Sequence, residues 1–223
     1  MTDLTMQGDA ARRAARFLMT ASTDEKNRAL FEMAKGLLAE WEQILAANEQ
    51  DLAAAREAGM GEALLDRLAL NRERIEGMAQ GVEQVAALPD PVGEIVEGSV
   101  RPNGLQVQKV RVPLGVIGMI YEARPNVTSD AAALCLKAGN AVILRGGKEA
   151  ICSNRAVVGA LGRALERAGL PAACVQLVQD TSRESANAMM RMNGVIDVLI
   201  PRGGAGLIRS VVENARVPVI ETG

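Results

Sequence analysis

Residues 111–150, RVPLGVIGMIYEARPNVTSDAAALCLKAGNAVILRGGKEA, contain the pattern that decides the fold. The uncharged apolar runs Gly115–Ile120 and Ala141–Leu144 predict two strands that are buried on both faces. Val127–Ala138 lies between them and predicts the connecting helix. A strand, a helix and a strand in this order form a right-handed parallel unit.

The same alternation continues towards the end of the chain. Further strands are predicted at Val175–Val178, Val195–Ile200 and Val217–Ile220. Further helices are predicted at Ser153–Ala168, Arg183–Met192 and Ala205–Asn214. These units predict an α/β fold with a doubly wound parallel sheet over residues 113–223. Ligands of such sheets bind beyond the carboxyl ends of the strands, so the segments that follow the strands are the candidate sites.

Residues 1–91 are predicted to be helical and to pack on that α/β domain. A first amphipathic segment ends at Leu18. Ser22 and Glu25 have the spacing of a capping box and predict the start of the second helix. Asn71 is expected to cap the fifth helix.

The apolar residues from Leu30 to Leu45 recur every three or four positions and predict that the second helix runs through all of them. A short third helix is expected to start at Asn48 and to stop at Gly59. A fourth helical stretch is marked by leucines at positions 64, 65, 68 and 70.

Residues 92–112 interrupt the helical pattern. Val92–Val100 and Leu105–Val112 predict two strands, joined by a turn at Pro102-Asn103-Gly104. This segment is expected to form a two-strand arm outside the main sheet.

Composition excludes several classes of protein. The net charge is −2 and no block of lysines or arginines is present, which argues against a nucleic-acid partner. No apolar stretch approaches the roughly 20 residues of a membrane helix, so no membrane span is expected. The chain has 3 cysteines, an odd number within apolar segments, which is typical of reduced thiols in a cytoplasmic protein.

The chain contains 0 histidines. This excludes Ser-His-Asp and Cys-His catalysis and most transition-metal sites within these residues, so no metal is expected. Acid–base chemistry would depend on carboxylates, lysine or tyrosine.

Asn126 follows the first strand of the sheet and stands where a helix N-cap is expected. On one interpretation its side chain only caps the helix. On the other, its amide is a donor aimed at negative charge that develops on a carbonyl oxygen.

Two Arg-Gly-Gly segments follow other strands. Arg145, Gly146, Gly147 and Lys148 combine positive charge with backbone that a ligand can approach closely. The alternative is an exposed turn with solvated basic side chains. The segment lacks the Ser/Thr of a Walker A loop, because Glu149 stands at that position.

Arg202, Gly203 and Gly204 lead from a buried strand into a helix, where free N–H groups suit a pyrophosphate. A tight turn without a ligand is the alternative. Two such segments at one edge of a sheet favour a dinucleotide or another phosphate ligand.

The strings LDRLAL at residues 65–70, the stretch 111–150 and DVLIPRGGAGLI at 197–208 resemble the gamma-glutamyl phosphate reductases. That family, also named glutamate-5-semialdehyde dehydrogenases, has the aldehyde dehydrogenase fold. The likeness extends over nearly the whole chain. It implies that residues 113–223 form an NADP-binding α/β domain and that residues 92–112 form an oligomerisation arm.

The resemblance also implies roles for residues. The residue that matches Asn126 supports an oxyanion. The segment Arg145 to Lys148 matches the one that meets the adenosine ribose, and Lys148 replaces a glutamate there, which favours NADP(H) over NAD(H). Arg202, Gly203 and Gly204 match the start of the pyrophosphate-binding helix.

The family's nucleophilic cysteine lies in a C-terminal catalytic domain that is absent from this sequence. None of Cys135, Cys152 and Cys174 matches the nucleophile, and structural roles are expected for all three because small buried thiols are common. The resemblance implies NADPH-dependent reduction of L-glutamyl 5-phosphate to L-glutamate 5-semialdehyde in proline biosynthesis, with the isolated chain inactive. A homo-oligomer and a contact with the glutamate kinase that makes the substrate are also implied. A CoA-acylating or other aldehyde dehydrogenase relative and a non-catalytic nucleotide-binding module are the alternatives.

Overall fold

The computed structural model describes residues 4–122 and 124–221. The amino-terminal part is helical and ends in a two-stranded antiparallel sheet. Its helices are α1 Thr5–Leu18, α2 Thr23–Ala39, α3 Trp41–Glu57, α4 Glu62–Leu68 and α5 Arg72–Ala87, and its strands are β1 Ile95–Val100 and β2 Gln106–Val110.

Strands and helices alternate in the rest of the chain. The strands are β3 Val116–Tyr121, β4 Ala141–Arg145, β5 Val175–Leu177 and β6 Val198–Arg202. The helices are α6 Asn126–Lys137, α7 Ile151–Arg167, α8 Arg183–Met190 and α9 Ala205–Asn214. The predicted α/β class is therefore confirmed, with the helices α6 to α9 each close to the predicted position.

The four strands β3 to β6 form one parallel sheet in the order β5-β4-β3-β6. The chain moves outward from β3 to β5 through α6 and α7, and then returns through α8 to place β6 on the other side of β3. Right-handed crossovers put the outgoing and returning helices on opposite faces. The doubly wound sheet is thus confirmed, and its strand order reverses between β3 and β6.

The helical region covers the outer side of the sheet's helices. Helix α2 packs on α6 and α7, and α5 packs on α6, while α1 contacts β3, β4 and β5 directly. Aliphatic side chains from these layers join one core that includes Leu30, Met33 and Leu37 of α2. The amino-terminal helices thus contact both the helices and the strands of the α/β part, and the division of the chain into domains stays a prediction.

Two predicted helix starts are confirmed by their caps. The Ser22 hydroxyl accepts a hydrogen bond from the Glu25 N–H at 3.2 Å, and the Glu25 carboxylate accepts one from the Ser22 N–H at 2.7 Å. The Asn71 side chain accepts from the Arg74 N–H at 2.7 Å. Each cap satisfies N–H groups that the first turn of a helix leaves unpaired.

The predicted continuous helix through Leu45 is wrong, because the chain breaks at Glu40 between α2 and α3. The expected start of a helix at Asn48 is wrong for the same reason. The Glu40 carboxylate accepts a hydrogen bond from Nε of Arg163 on α7 at 3.0 Å. An ion pair between distant parts of the chain accompanies the break, and local spacing does not reveal such a pair.

The predicted strand Val217–Ile220 forms only a single bridge between Leu199 and Val219. Pro218 has no N–H group and therefore supplies only its carbonyl, which accepts from the Leu199 N–H at 2.8 Å. Strand β6 also begins later than predicted, at Val198, and extends through Arg202.

Strands β1 and β2 form the predicted arm, and all of their residues are exposed. Apolar side chains such as Val100 and Val107 thus face solvent in the isolated chain. The role of residues 92–112 in oligomerisation stays a prediction. Within residues 4–122 and 124–221, no helix combines the length and apolar character that crossing a membrane requires.

Candidate functional site

The two Arg-Gly-Gly segments lie at one rim of the sheet, on either side of β3. Ile120 of β3 is in register with Arg145 of β4, and Tyr121 is in register with Arg202 of β6. Because all three strands are parallel, their carboxyl ends meet at the same edge. The predicted common location is confirmed, and the boundary between β3 and β6 is the topological switch point where such sheets bind ligands.

A cavity of about 600 Å³ opens at this switch point, and we call it the rim cavity. Its wall contains the turn Arg202-Gly203-Gly204 and two carboxylates, Glu122 and Glu149. The other residues that line it are Met60, Leu64, Arg67, Arg124 and Val127. The predicted segment that precedes α9 therefore lines an open, charged cavity.

The amino terminus of α9 already holds an anion from the same chain. The Gly204 N–H donates a hydrogen bond to Oε2 of Glu122 at 3.0 Å. A Cβ atom on Gly203 would lie 2.6 Å from the Glu122 carboxyl carbon, so this glycine leaves the space that the carboxylate fills. Sequence reasoning did not assign a role to Glu122, although its position directly after β3 was a usable signal.

Arg145 is half-buried and bound to the protein's own backbone. Its Nη2 donates to the carbonyl oxygens of Thr181 at 2.6 Å and Ser182 at 2.9 Å. Its Nε is buried and has no hydrogen-bond partner among the residues that the structure describes. Burial lowers the pKa of the Arg145 guanidinium, while the nearby Glu149 and Asp180 act in the opposite direction. Arg145 thus fixes the loop before α8, and its contact with a cofactor stays a prediction.

The three residues after Arg145 differ in exposure. Gly146 and Gly147 are buried, and Lys148 is exposed at the start of a short 3-10 turn, Lys148–Ala150. A Cβ on Gly146 would lie 2.2 Å from Nδ2 of the buried Asn154. Gly146 is therefore required by packing, and Lys148 is the member of the segment whose side chain can reach a ligand in solvent.

We expect Gly146→Ala to lower the free energy of unfolding by about 1–3 kcal/mol, because the added methyl group overpacks a filled site. The matched control is Gly206→Ala on α9, where a Cβ would meet nothing within 4 Å. Urea unfolding of both variants measures the difference. Equal stabilities would show that the Asn154 side chain moves aside without cost.

Asn126 does not cap α6, so the capping interpretation is wrong. Pro125 occupies the N-cap position, and Asn126 is the first residue of the helix. The exposed Asn126 amide donates instead to Oδ2 of Asp130, one turn later, at 3.2 Å. Pro125 has a fixed φ that suits the start of a helix, which moves the boundary by one residue. The amide keeps a second N–H for a ligand, since a primary amide has two donors.

Asn126 and Asp130 line a second cavity of about 530 Å³, which we call the amide cavity. It lies beside the rim cavity, and the two share Arg67 and Arg124. The remaining residues that line it are Asp66, Ala69, Leu70, Arg74, Gly77 and Met78. The predicted oxyanion residue and the predicted pyrophosphate turn therefore face neighbouring cavities with two arginines between them.

The three cysteines lack the features of an activated nucleophile. Burial raises the pKa of the Cys135 and Cys174 thiols to about 12. Cys152 is half-buried, and its pKa is raised by burial and by the Asp51 carboxylate. A thiol must ionise before it attacks a carbonyl carbon, and none of these environments favours the thiolate.

Comparisons with known proteins agree with this geometry. The sequence model of the aldehyde dehydrogenase family matches residues 5–221. A gamma-glutamyl phosphate reductase from Geobacillus sp. (strain WCH70) is 58% identical over 223 residues, covering 100% of this chain and 54% of that protein. The Moorella thermoacetica protein of the same name is 60% identical over 217 residues, covering 97% of this chain and 52% of that protein.

Solved structures show the same relation. The crystal structure of gamma-glutamyl phosphate reductase from Thermotoga maritima is 44% identical, with a TM-score of 0.97, over 100% of this chain and 54% of that one. The Saccharomyces cerevisiae structure of the same name is 32% identical, with a TM-score of 0.91, over 99% of this chain and 56% of that one. The chain spans about half the length of the curated relatives that it matches. With its fold, its rim cavity and a family match over nearly all of its residues, the chain belongs to the aldehyde dehydrogenase family.

Proposed function

We propose that this chain is the cofactor-binding part of an NADPH-dependent gamma-glutamyl phosphate reductase. The whole protein would reduce L-glutamyl 5-phosphate to L-glutamate 5-semialdehyde and release phosphate, a step of proline biosynthesis. The observation that carries this proposal is the rim cavity at the switch point, where a carboxylate already binds the amino terminus of α9. The names of relatives at 58% and 60% identity support the substrate.

The residues present suit a dinucleotide. The Gly204 N–H binds the Glu122 carboxylate, so this helix start accepts an anion of that size. Arg202, Gly203 and Gly204 would hold the diphosphate, and the exposed Lys148 would meet a 2′-phosphate. Arg145, Gly146 and Gly147 would form the segment that positions Lys148 for this contact. When bound, the nicotinamide supplies the two electrons of the reduction.

The chain's own groups prepare the reaction centre. The second N–H of the Asn126 amide is available to the carbonyl oxygen of the substrate, where negative charge develops. The Asp130 carboxylate holds the other N–H and so fixes the direction of the amide. Release of phosphate from an acyl phosphate requires no base to activate water, which fits the lack of histidine among the residues that this chain supplies.

The exposed arm fits a homo-oligomer of the whole protein, since β1 and β2 leave backbone edges and apolar side chains unpaired in the single chain. The contact with a glutamate kinase is supported only by the shared substrate. Cytoplasmic location is inferred from the reduced thiols and the phosphorylated substrate.

The test is a chimera in which this chain replaces the matching half of the Geobacillus relative. We expect it to reduce NADP⁺ in the presence of L-glutamate 5-semialdehyde and inorganic phosphate. Activity that requires coenzyme A instead of phosphate would assign the chain to an acylating relative. Binding of NADPH without any turnover would support a non-catalytic nucleotide-binding module.

Glu122 gives a second expected result. The Glu122 carboxylate occupies the place that we assign to the diphosphate, so a bound dinucleotide has to displace it. Glu122→Gln keeps an acceptor for the Gly204 N–H and removes the competing charge. We expect the Kd for NADPH to fall by about 3- to 10-fold, the size of a charge effect at a helix terminus.

The control for Glu122→Gln is Glu213→Gln, which removes a carboxylate from the other end of α9. Titration of both variants with NADPH, followed by nicotinamide fluorescence, measures the change. Unchanged or weaker binding by Glu122→Gln would mean that the carboxylate and the diphosphate occupy different places.

A further inference from the structure

We infer that Arg67 and Arg124 form the site that binds the phosphoryl group of the substrate and the phosphate that it releases. This inference rests on the proposed function, which makes the substrate an acyl phosphate. Both arginines line the rim cavity and the amide cavity. The two arginines therefore lie between the proposed cofactor site and the Asn126 amide, where a substrate could contact both.

The guanidinium groups of Arg67 and Arg124 are exposed, and they have no side-chain or backbone partner among the residues that the structure describes. The neighbouring Arg74 is already bound within the chain. Arg74 donates to the Asp66 carboxylate at 2.8 Å and to the Ala69 carbonyl at 2.7 Å. Two unpaired guanidinium groups beside one cavity favour an anion from outside the chain.

The two cavities are lined by equal numbers of positive and negative side chains, which are Arg67, Arg74, Arg124, Arg202, Asp66, Glu122, Asp130 and Glu149. Asp66 pairs with Arg74, and Glu122 is held by the amino terminus of α9. Asp130 and Glu149 remain as negative groups on the two sides. Burial raises the pKa of the Asp130 carboxyl, and the Asn126 amide opposes that change. A dianion bound between two guanidinium groups thus meets attraction at the junction itself.

Hydrogen bonds from two other side chains fix the backbone that follows Arg67. The buried Asn48 side chain donates to the Leu68 carbonyl at 2.9 Å and accepts from the Leu70 N–H at 2.8 Å. Arg74 also binds the Ala69 carbonyl. A segment held in this way presents an arginine at a defined position, which lowers the entropy cost of binding a ligand.

The backbone at Arg124 is also fixed. Its N–H donates to the Glu122 carbonyl at 2.7 Å, and its own carbonyl accepts from the Val127 N–H at 3.1 Å. Pro125 restricts the conformation of the residue that precedes it. Arg124 therefore stands two residues before Asn126 on the same rigid turn. In this position the arginine would hold the leaving phosphate while the amide contacts the carbonyl oxygen of the same acyl phosphate.

The substrate has a second anionic group, its α-carboxylate, which two arginines would also attract. The experiment distinguishes binding of the phosphoryl group from binding of this carboxylate. The probes are inorganic phosphate and L-glutamate, titrated separately into the chain by isothermal calorimetry. We expect Arg67→Gln and Arg124→Gln each to raise the Kd for phosphate about 10-fold, with L-glutamate changed by less than about 2-fold. Arg124→Lys should recover part of the phosphate affinity, since the charge returns without the planar pair of donors.

The control variant is Arg101→Gln on the exposed arm, and circular dichroism checks that every variant folds. In the chimera, the KM for phosphate should rise in both arginine variants, while the Kd for NADPH stays within about 2-fold. Loss of L-glutamate affinity in place of phosphate affinity would overturn the inference, as would an unchanged Kd for phosphate in both variants. A chimera that turns over with phosphate and shows an unchanged KM would overturn the inference and leave the proposed function standing. If both variants lose phosphate binding but the chimera shows no phosphate-dependent turnover, the result would overturn the proposed function alone.

Discussion

Replacement of Asp90 by alanine is expected to lower the free energy of unfolding by about 3–5 kcal/mol, the cost of leaving one partner of a buried ion pair without its counter-ion. The partner is Lys26 of α2, whose side chain is 1% exposed. Its ammonium lies 2.7 Å from the Asp90 carboxylate, which is itself 11% exposed. The pair joins the amino-terminal helix layer to the segment that leads into the arm.

Asp90 has further partners that the variant would also lose. Its carboxylate accepts hydrogen bonds from the Thr23 hydroxyl at 2.6 Å and from the Val92 N–H at 3.0 Å. A second cation, Lys137, lies in the same region, and its pKa is lowered mainly by burial. Removal of the one carboxylate therefore leaves two lysines close together in a region with little water.

The effect should depend on pH in a defined direction. Burial by itself would raise the pKa of Asp90, but hydrogen bonds from Lys26, Thr23 and Val92 outweigh it, and the folded-state pKa is lowered. A carboxyl group with a lowered folded-state pKa contributes stability above its unfolded pKa of about 3.9. That contribution is lost as the pH falls through the folded-state value. The difference between the native protein and Asp90→Ala should thus be full at neutral pH and shrink in strong acid.

Chemical denaturation of Asp90→Ala at several pH values measures this contribution. The control is Glu94→Ala, which breaks the pair of Glu94 with Arg111, where both side chains are more than half exposed. Such surface pairs contribute about 0–1 kcal/mol, so the control should change little. A difference of similar size in both variants would show that burial does not strengthen the Lys26–Asp90 pair.

The sheet could be predicted from the sequence because its strands are buried on both faces. Runs such as Gly115–Ile120 and Ala141–Leu144 contain no charge, and turn residues separate them from the helices. The parallel order then places Arg145 and Arg202 at a common rim without any knowledge of side-chain contacts. Topology alone was sufficient to predict that the two segments share a rim, whereas the cavity beside them required the structure.

The side chains that shape the site depend on contacts between distant positions. The Asp51 carboxylate, in the middle of α3, accepts from the N–H groups of Cys152 and Ser153 and so caps α7 across 101 and 102 residues. Glu122 binds a helix start 82 residues later. Periodicity and spacing report local structure, and neither shows which distant groups a carboxylate will meet.

The same limit applies to Asn126 and to the two shared arginines. The pattern around Asn126 predicted a cap, whereas Pro125 takes that position and the amide binds Asp130. Arg67 belongs to a string that carried the family resemblance, yet only the fold brings it beside Arg124. The residue types indicated which side chains could bind a ligand, but the contacts of those side chains could be identified only from the tertiary structure.

Lys148→Glu is expected to raise the Kd for NADPH about 30-fold and the Kd for NADH less than about 3-fold, as estimated from screened charge pairs near a surface. Lys148 is exposed at the carboxyl end of β4, and it forms no ion pair within the part of the chain that the structure describes. Its ammonium is therefore free to attract the 2′-phosphate that distinguishes the two coenzymes. A glutamate at the same position would repel that group.

The preference for NADPH in the native chain should weaken as the salt concentration rises, because ions screen exposed charges over about 10 Å at 0.1 M. A higher salt concentration should also reduce the difference in Kd for NADPH between Lys148→Glu and the native chain. Fluorescence titration with each coenzyme at two salt concentrations measures both effects, and Lys109→Glu on the exposed strand β2 is the control for a change in net charge. Equal weakening of NADPH and NADH would place the 2′-phosphate elsewhere. Arg145 would not take over this role, because its guanidinium is bound to the Thr181 and Ser182 carbonyls.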